Sequence, residues 1–310
     1  MLKSWINPDK LNYSGLSANP HASAIALLRL NPEKIYWENL SQNIHPNAIA
    51  LLRENIDKIY WKYFSQTEHD DAIALMQENL DKIDWECLSY NNNDAAIALL
   101  SENLDKVDWV KLSQNESQGA IALLKENPEK IVWEDLSRNA HPDAIALLKE
   151  NPDKIVWEDF SRNKNPDAVK MLLENHEKID WFYFSFVEHN NAIALLKENP
   201  DKIVWSHLFS NSCDAAVAMM FNEIKNNPTR TIYWSAFSQN KHPDVIAFLK
   251  ENIDNIDILC LLENTNPDAI ELLEQNITIL LEYLPDYQRK QFWGLLSSQP
   301  WIFEERYVLK

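Results

Sequence analysis

Apolar residues recur along this chain in two alternating blocks. The first sets an aromatic two residues after an Ile or Val and follows it with Leu or Phe and then Ser, as in Ile155-Val156-Trp157-Glu158-Asp159-Phe160-Ser161. An aromatic and a Leu or Phe at i and i+3 lie on one helical face, which predicts a short first helix from near the Lys-Ile pair to the Ser. The second block reads Ala-Ile-Ala-Leu-Leu at 24–28, 48–52, 96–100 and 144–148. Its broad apolar stripe of good helix formers predicts a second helix. Pro46, Pro142, Pro166, Pro243 and Pro267 stand in the first turn of that helix, where a missing N–H costs nothing. Asn55, Asn79, Asn103, Asn127, Asn151, Asn175 and Asn199 close it. Asn suits both a left-handed C-terminal position and the N-cap of the helix that follows.

The blocks keep one period. Tryptophan stands at 37, 61, 85, 109, 133, 157, 181 and 205, every 24 residues, and Tyr13 holds the same register before them. A period of this kind marks stacked supersecondary units that bury a core between neighbours. The expected fold is all-α, an elongated and superhelical α-solenoid of about twelve 24-residue helical-hairpin repeats. The count takes in Tyr13, the eight tryptophans, Trp234, Ile258 and Glu282. Trp234 follows Trp205 by 29 residues, because the stretch 219–228 lengthens the second helix of that repeat. Residues 1–12 read as an N-terminal cap and repeat start, 13–282 as the array, and 283–310 as a C-terminal cap over the last repeat's apolar face. Helices of roughly 8–10 residues are marginal alone, so stability must come from stacking. Trp37, Trp61, Trp85, Trp109, Trp133, Trp157, Trp181, Trp205 and Trp234 are therefore assigned to the core, each burying roughly 200 Å² for a gross ~5 kcal/mol.

Composition narrows the function. A net charge of −18 argues against a nucleic-acid surface, since that affinity comes from Lys and Arg displacing counterions. Only three glycines occur, which excludes phosphate loops and dinucleotide fingerprints. Three scattered cysteines encode neither a disulfide framework nor a zinc ribbon, so no metal and no cofactor is expected. The amino terminus lacks a signal-peptide core and no run approaches a membrane span, so an intracellular chain without a membrane partner is expected.

The consensus Asn-Pro-Asp-Ala-Ile-x-Leu-Leu-x-x-Asn-Pro-Asp-Lys-Ile-x-Trp-x-x-Leu-Ser-x-Asn, nearly intact at 142–163, resembles the short repeats found in many proteins of giant DNA viruses of amoebae and algae. The resemblance spans about residues 7–282. It implies an all-helical repeat protein of viral origin, acting in the host cytoplasm or the virion, and it brings no catalytic residues with it.

Candidate chemistry is sparse. His21, His45, His69, His141, His189 and His242 each fall eight residues after an aromatic-register position. A metal ladder is one reading, but repeats roughly 8–10 Å apart would separate the imidazoles too far to share an ion. Asn93, Ser117, Asn165, Cys213 and Asn266 hold the same position elsewhere, so capping is the favoured reading. Glu134, Asp135, Glu158 and Asp159 read as a solvated face, with Glu134…Arg138 and Glu158…Arg162 spaced to pair locally. One repeat departs from this rule. Phe182 and Phe186 replace the charged pair, with Tyr183 and Val187 beside them. Exposed, they form an apolar partner-binding patch; alternatively, curvature buries them against a neighbour.

These readings converge on a non-enzymatic scaffold that binds another protein. A structural virion component is the second reading. An enzyme is the third, and it would need a pocket of convergent titratable groups that the repeat does not supply.

Overall fold

The computed structural model describes residues 2–4, 6–282 and 284–303. Among them stand 23 α-helices and 11 short 3-10 helices, and the β-pairing is a single isolated antiparallel bridge between Leu2 and Phe303. The protein is an α-solenoid of helical repeats. Its chain divides into two compact units, one of residues 1–131 with 285–310 and the other of residues 132–284. The boundary falls inside the array that the period presents as continuous.

The repeats have three elements, where a two-helix hairpin was expected; that of Trp234, after the insertion, lacks the first of them. In the repeat of Trp157 these are a 3-10 turn (Pro152–Lys154), a short helix (Trp157–Phe160) and a longer one (Pro166–Glu174). The expected first helix is split by Ile155, whose backbone is extended at φ −66° and ψ 121°. Its side chain drops into the core. The N–H of the next residue, Val156, donates to Ser137 Oγ of the preceding repeat at 3.1 Å, and that hydroxyl donates in turn to Trp133 O at 2.7 Å. A continuous helix would withdraw Ile155 from the core and leave the serine without this donor.

The asparagines that end the longer helices act differently from the expectation. No residue other than glycine has a positive φ among the described residues, and Asn151 sits at φ −129° and ψ 61°. Its amide instead donates to Leu147 O at 2.9 Å, satisfying a carbonyl that the helix end would leave bare. Asn55, Asn79, Asn103, Asn127, Asn175 and Asn199 do the same.

The core assignment of the tryptophans needs correction. Trp37, Trp61, Trp85, Trp109, Trp133, Trp157, Trp181, Trp205 and Trp234 are all half-buried. As the first residue of its short helix, each lies at the rim of the repeat, while Leu or Phe three residues on is fully enclosed. The Trp157 ring meets Phe160 edge-on at 5.7 Å, and Lys178 of the next repeat lies 4.5 Å from the Trp157 ring centre. Lys82 and Lys106 stand in the same relation to Trp61 and Trp85.

A ladder of buried asparagines, six residues past each aromatic, locks successive repeats. Asn163 donates to Ser137 O at 3.1 Å and to Asn139 O at 2.9 Å, and its Oδ1 accepts from Asn165 N at 3.0 Å. Asn43, Asn91, Asn115, Asn240 and Asn264 each repeat the double donation to the repeat before. Thr67 and Val187 interrupt the ladder.

The end of the chain also departs from expectation. Glu282, counted as a repeat position, is the last residue of a 16-residue helix, Pro267–Glu282. The insertion after Trp205 lengthens its helix as expected, to Asp214–Asn226. The final helix, Asp286–Ser298, packs against the first, Tyr13–Ala18; the expectation had placed this cap at the other end of the array. Asn19 donates to Ser297 O and Gln299 O at 3.0 and 2.9 Å, and Asn12 N donates to Ser297 Oγ at 2.8 Å. These are the bonds that one repeat makes to its predecessor. Trp293, Leu296, Ser297 and Gln299 thus stand in for the Trp, Leu, Ser and Asn of a preceding repeat.

Candidate functional site

The framework bonds are nearly invariant, so within each compact unit variation gathers on a surface track. There the residue five past a tryptophan meets the residue two past the next. The pairs are Gln66 with Cys87 at 3.2 Å, Arg138 with Asp159 at 2.6 Å, Arg162 over the Tyr183 ring at 3.9 Å, and Phe186 against His207 at 3.8 Å. Each pair spans two repeats, because the short helices place these positions edge to edge.

The charged part of the track is a closed network. Arg138 reaches Asp159, Asp135 at 3.2 Å and Glu134 at 3.0 Å, and Asp135 and Asp159 are buried. Two of the four acids read as a solvated face therefore lie inside, both paired with Arg138, and Asp159 with Arg162 at 3.8 Å as well. The bond to Asp159 is the largest influence raising Arg138 above its ordinary pKa.

The aromatic part is open. Phe182 is 51% and Phe186 45% exposed, which decides between the two sequence readings of this pair in favour of exposure. Tyr183 is half-buried beneath Arg162. Val187 is only 2% exposed and occupies the asparagine-ladder position, so it leaves the partner-binding set as a core residue. His207 joins the set in its place. Its ring stacks on Phe186 at an interplanar angle of 23° and meets Phe182 edge-on at 4.2 Å. Nδ1 lies 2.7 Å from Phe182 O. A carbonyl can only accept, so Nδ1 donates in this contact. The sequence signal for His207 is that it and His176 are the two of eight histidines outside the capping register that the other six share.

Those six histidines cap helices. Nδ1 of His21, His45, His69, His141, His189 and His242 accepts the backbone N–H of Ser23, Asn47, Asp71, Asp143, Asn191 and Asp244, at 3.0 to 3.2 Å. Among the described residues no group of three or more His, Cys, Asp or Glu could hold a metal ion. The thiols are poor nucleophiles: burial raises Cys87 and Cys213, and burial followed by the Asp257 charge pushes Cys260 up to about 12. A cleft of about 900 Å³ between the first repeat and the last helix interleaves Lys10, Lys34, Arg289 and Lys290 with Asp9, Glu33 and Asp286. It concentrates neither sign of charge.

No family model, curated protein or solved structure matches the chain. Among the described residues no helix is long and apolar enough to cross a membrane.

Proposed function

We propose that this chain is a non-enzymatic scaffold that binds another protein through Phe182, Phe186 and His207, with Tyr183 at the edge of the contact. It is of the viral repeat type and works in the host cytoplasm or the virion. The observation that carries the reading is the exposed pair Phe182 and Phe186, at the two positions that Glu134 with Arg138 and Glu158 with Arg162 fill in the two preceding repeats. Neither ring serves the framework: the core belongs to Phe184 and Val187, and the bond to the following repeat's Val204 N belongs to Ser185. Large aromatic side chains held rigidly at a surface supply binding energy at little entropic cost. Between residues 132 and 284 there are 25 acidic against 13 basic side chains, so a partner with a basic rim around an apolar anchor is the one this surface attracts.

The test is the double variant Phe182→Glu with Phe186→Arg. Surface changes of this kind stay within about 0.5 kcal/mol of the parent, so thermal unfolding should be unchanged while affinity purification from cells expressing the tagged chain loses a specific protein. Recovery of the same proteins by both forms would reject the surface. Unfolding of the double variant would make the rings structural.

A further inference from the structure

The joint between the last helix and the first repeat is more than a repeat contact. Of the three glycines in the chain, two, Gly15 and Gly294, lie in it. A Cβ on Gly15 would stand 2.5 Å from Gly294 O and 2.8 Å from Ser297 Cβ, closer than any side chain can be accommodated against backbone. The corresponding position in the following repeats carries Asn39, Tyr63 or Cys87, so this closeness is particular to the joint. Beyond the repeat-like bonds, Lys3 N donates to Ile302 O at 2.9 Å, Leu2 pairs with Phe303, and the His21 ring stacks on Phe303 at 4.7 Å and 14°. The first repeat thus carries a docking face fitted to one segment, Asp286–Phe303, and to no other helix of the array.

We propose that this joint exchanges between copies, the 286–303 segment of one chain docking on the first repeat of a second. The fitted face and the fitted segment lie at opposite ends of one chain and are joined there by non-covalent contacts alone. Every contact of the closed joint is available unchanged to the segment of another copy. Closed and exchanged forms then differ only in association entropy, and domain exchange of this kind is a low-cost route to oligomers. The closed form is favoured at low concentration because its joint forms within one chain, and the exchanged form gains as the chain concentration rises.

Complementation of two full-length variants tests the proposal. Gly15→Val destroys the docking face but keeps the segment; Leu296→Asp places a charge at a fully buried position of the segment and keeps the face. Each alone should stay monomeric in native mass spectrometry, and the mixture should give a one-to-one heterodimer that the mixture of two Gly15→Val preparations never gives. A mixture that remains monomeric overturns the proposal. If circular dichroism shows either variant unfolded, two isotopically distinct parent populations are refolded together at about 1 mM, where exchange between chains competes best with closure. Dimers of mixed mass support exchange, and monomers alone overturn it.

Discussion

Replacing Asn163 by valine removes one rung of the ladder while nearly conserving shape. Three bonds go: those from Nδ2 to Ser137 O and Asn139 O, and that from Asn165 N to Oδ1, at 2.9 to 3.1 Å. The site is fully buried, so water cannot replace them. At about 1 kcal/mol per bond the loss is about 3 kcal/mol, and it grows if the stranded carbonyls and amide bear their full desolvation cost of ~1–3 kcal/mol each. The chain contains the natural counterpart. At Val187 the stranded amide has been rehoused: His189 N donates to Val187 O at 2.9 Å, and His189 is drawn to φ −145°, where His141 and His242 sit at −65° and −72°. Val187→Asn should therefore stabilise, by about 1 kcal/mol for the bonds it restores. Arrays of repeats can lose two-state behaviour, so the readout is native-state hydrogen exchange of the amides in Pro166–Glu174 and Asn190–Glu198, with urea unfolding beside it. Protection within about 0.5 kcal/mol of the parent for Asn163→Val, the ordinary range of an indifferent site, would refute the ladder as a source of stability, as would destabilisation by Val187→Asn.

Phe160→Ala should cost about 3–5 kcal/mol in urea unfolding, and Trp157→Ala, at a half-buried ring with one lysine over its face, only about 2 kcal/mol; the reverse order would restore the tryptophans to the core. Cys260, with its thiol pushed up to about 12, should be carboxymethylated at pH 8 about 10³-fold more slowly than a free cysteine, since the thiolate is the reacting form. Peptide mass spectrometry over time reads this, and the rate should rise with pH up to that value.

The longer helices were legible because their pattern is local. Proline at the first turn, a capping residue before it and an Ala-Ile-Ala-Leu-Leu stripe each act within a few residues. The short helix was read too long because an aromatic and a leucine at i and i+3 fit its four residues as well as a longer run, and nothing in Ile155 itself says that its backbone is extended. The ladder asparagines were missed for another reason. Asn163 lies in a polar turn, where asparagine is ordinary, and its partners Ser137 and Asn139 become neighbours only after stacking. Trp293-Gly294-Leu295-Leu296-Ser297 carries the Trp-x-x-Leu-Ser pattern, but it begins 11 residues past the Glu282 register, and a strict count of 24 passes over it. The candidate surface was half legible: Phe182 and Phe186 announced themselves by replacing charges, while His207, one repeat on, could be joined to them only by the edge-to-edge packing of the short helices.

The ladder has a direction, because each asparagine draws on carbonyls of the repeat before it. A ribosome delivers repeats in that same order, so each new asparagine emerges to find its acceptors already in place. Asn19 is the exception. Its acceptors, Ser297 O and Gln299 O, are made some 280 residues after it, and the first repeat to be synthesised is consequently the last to be completed.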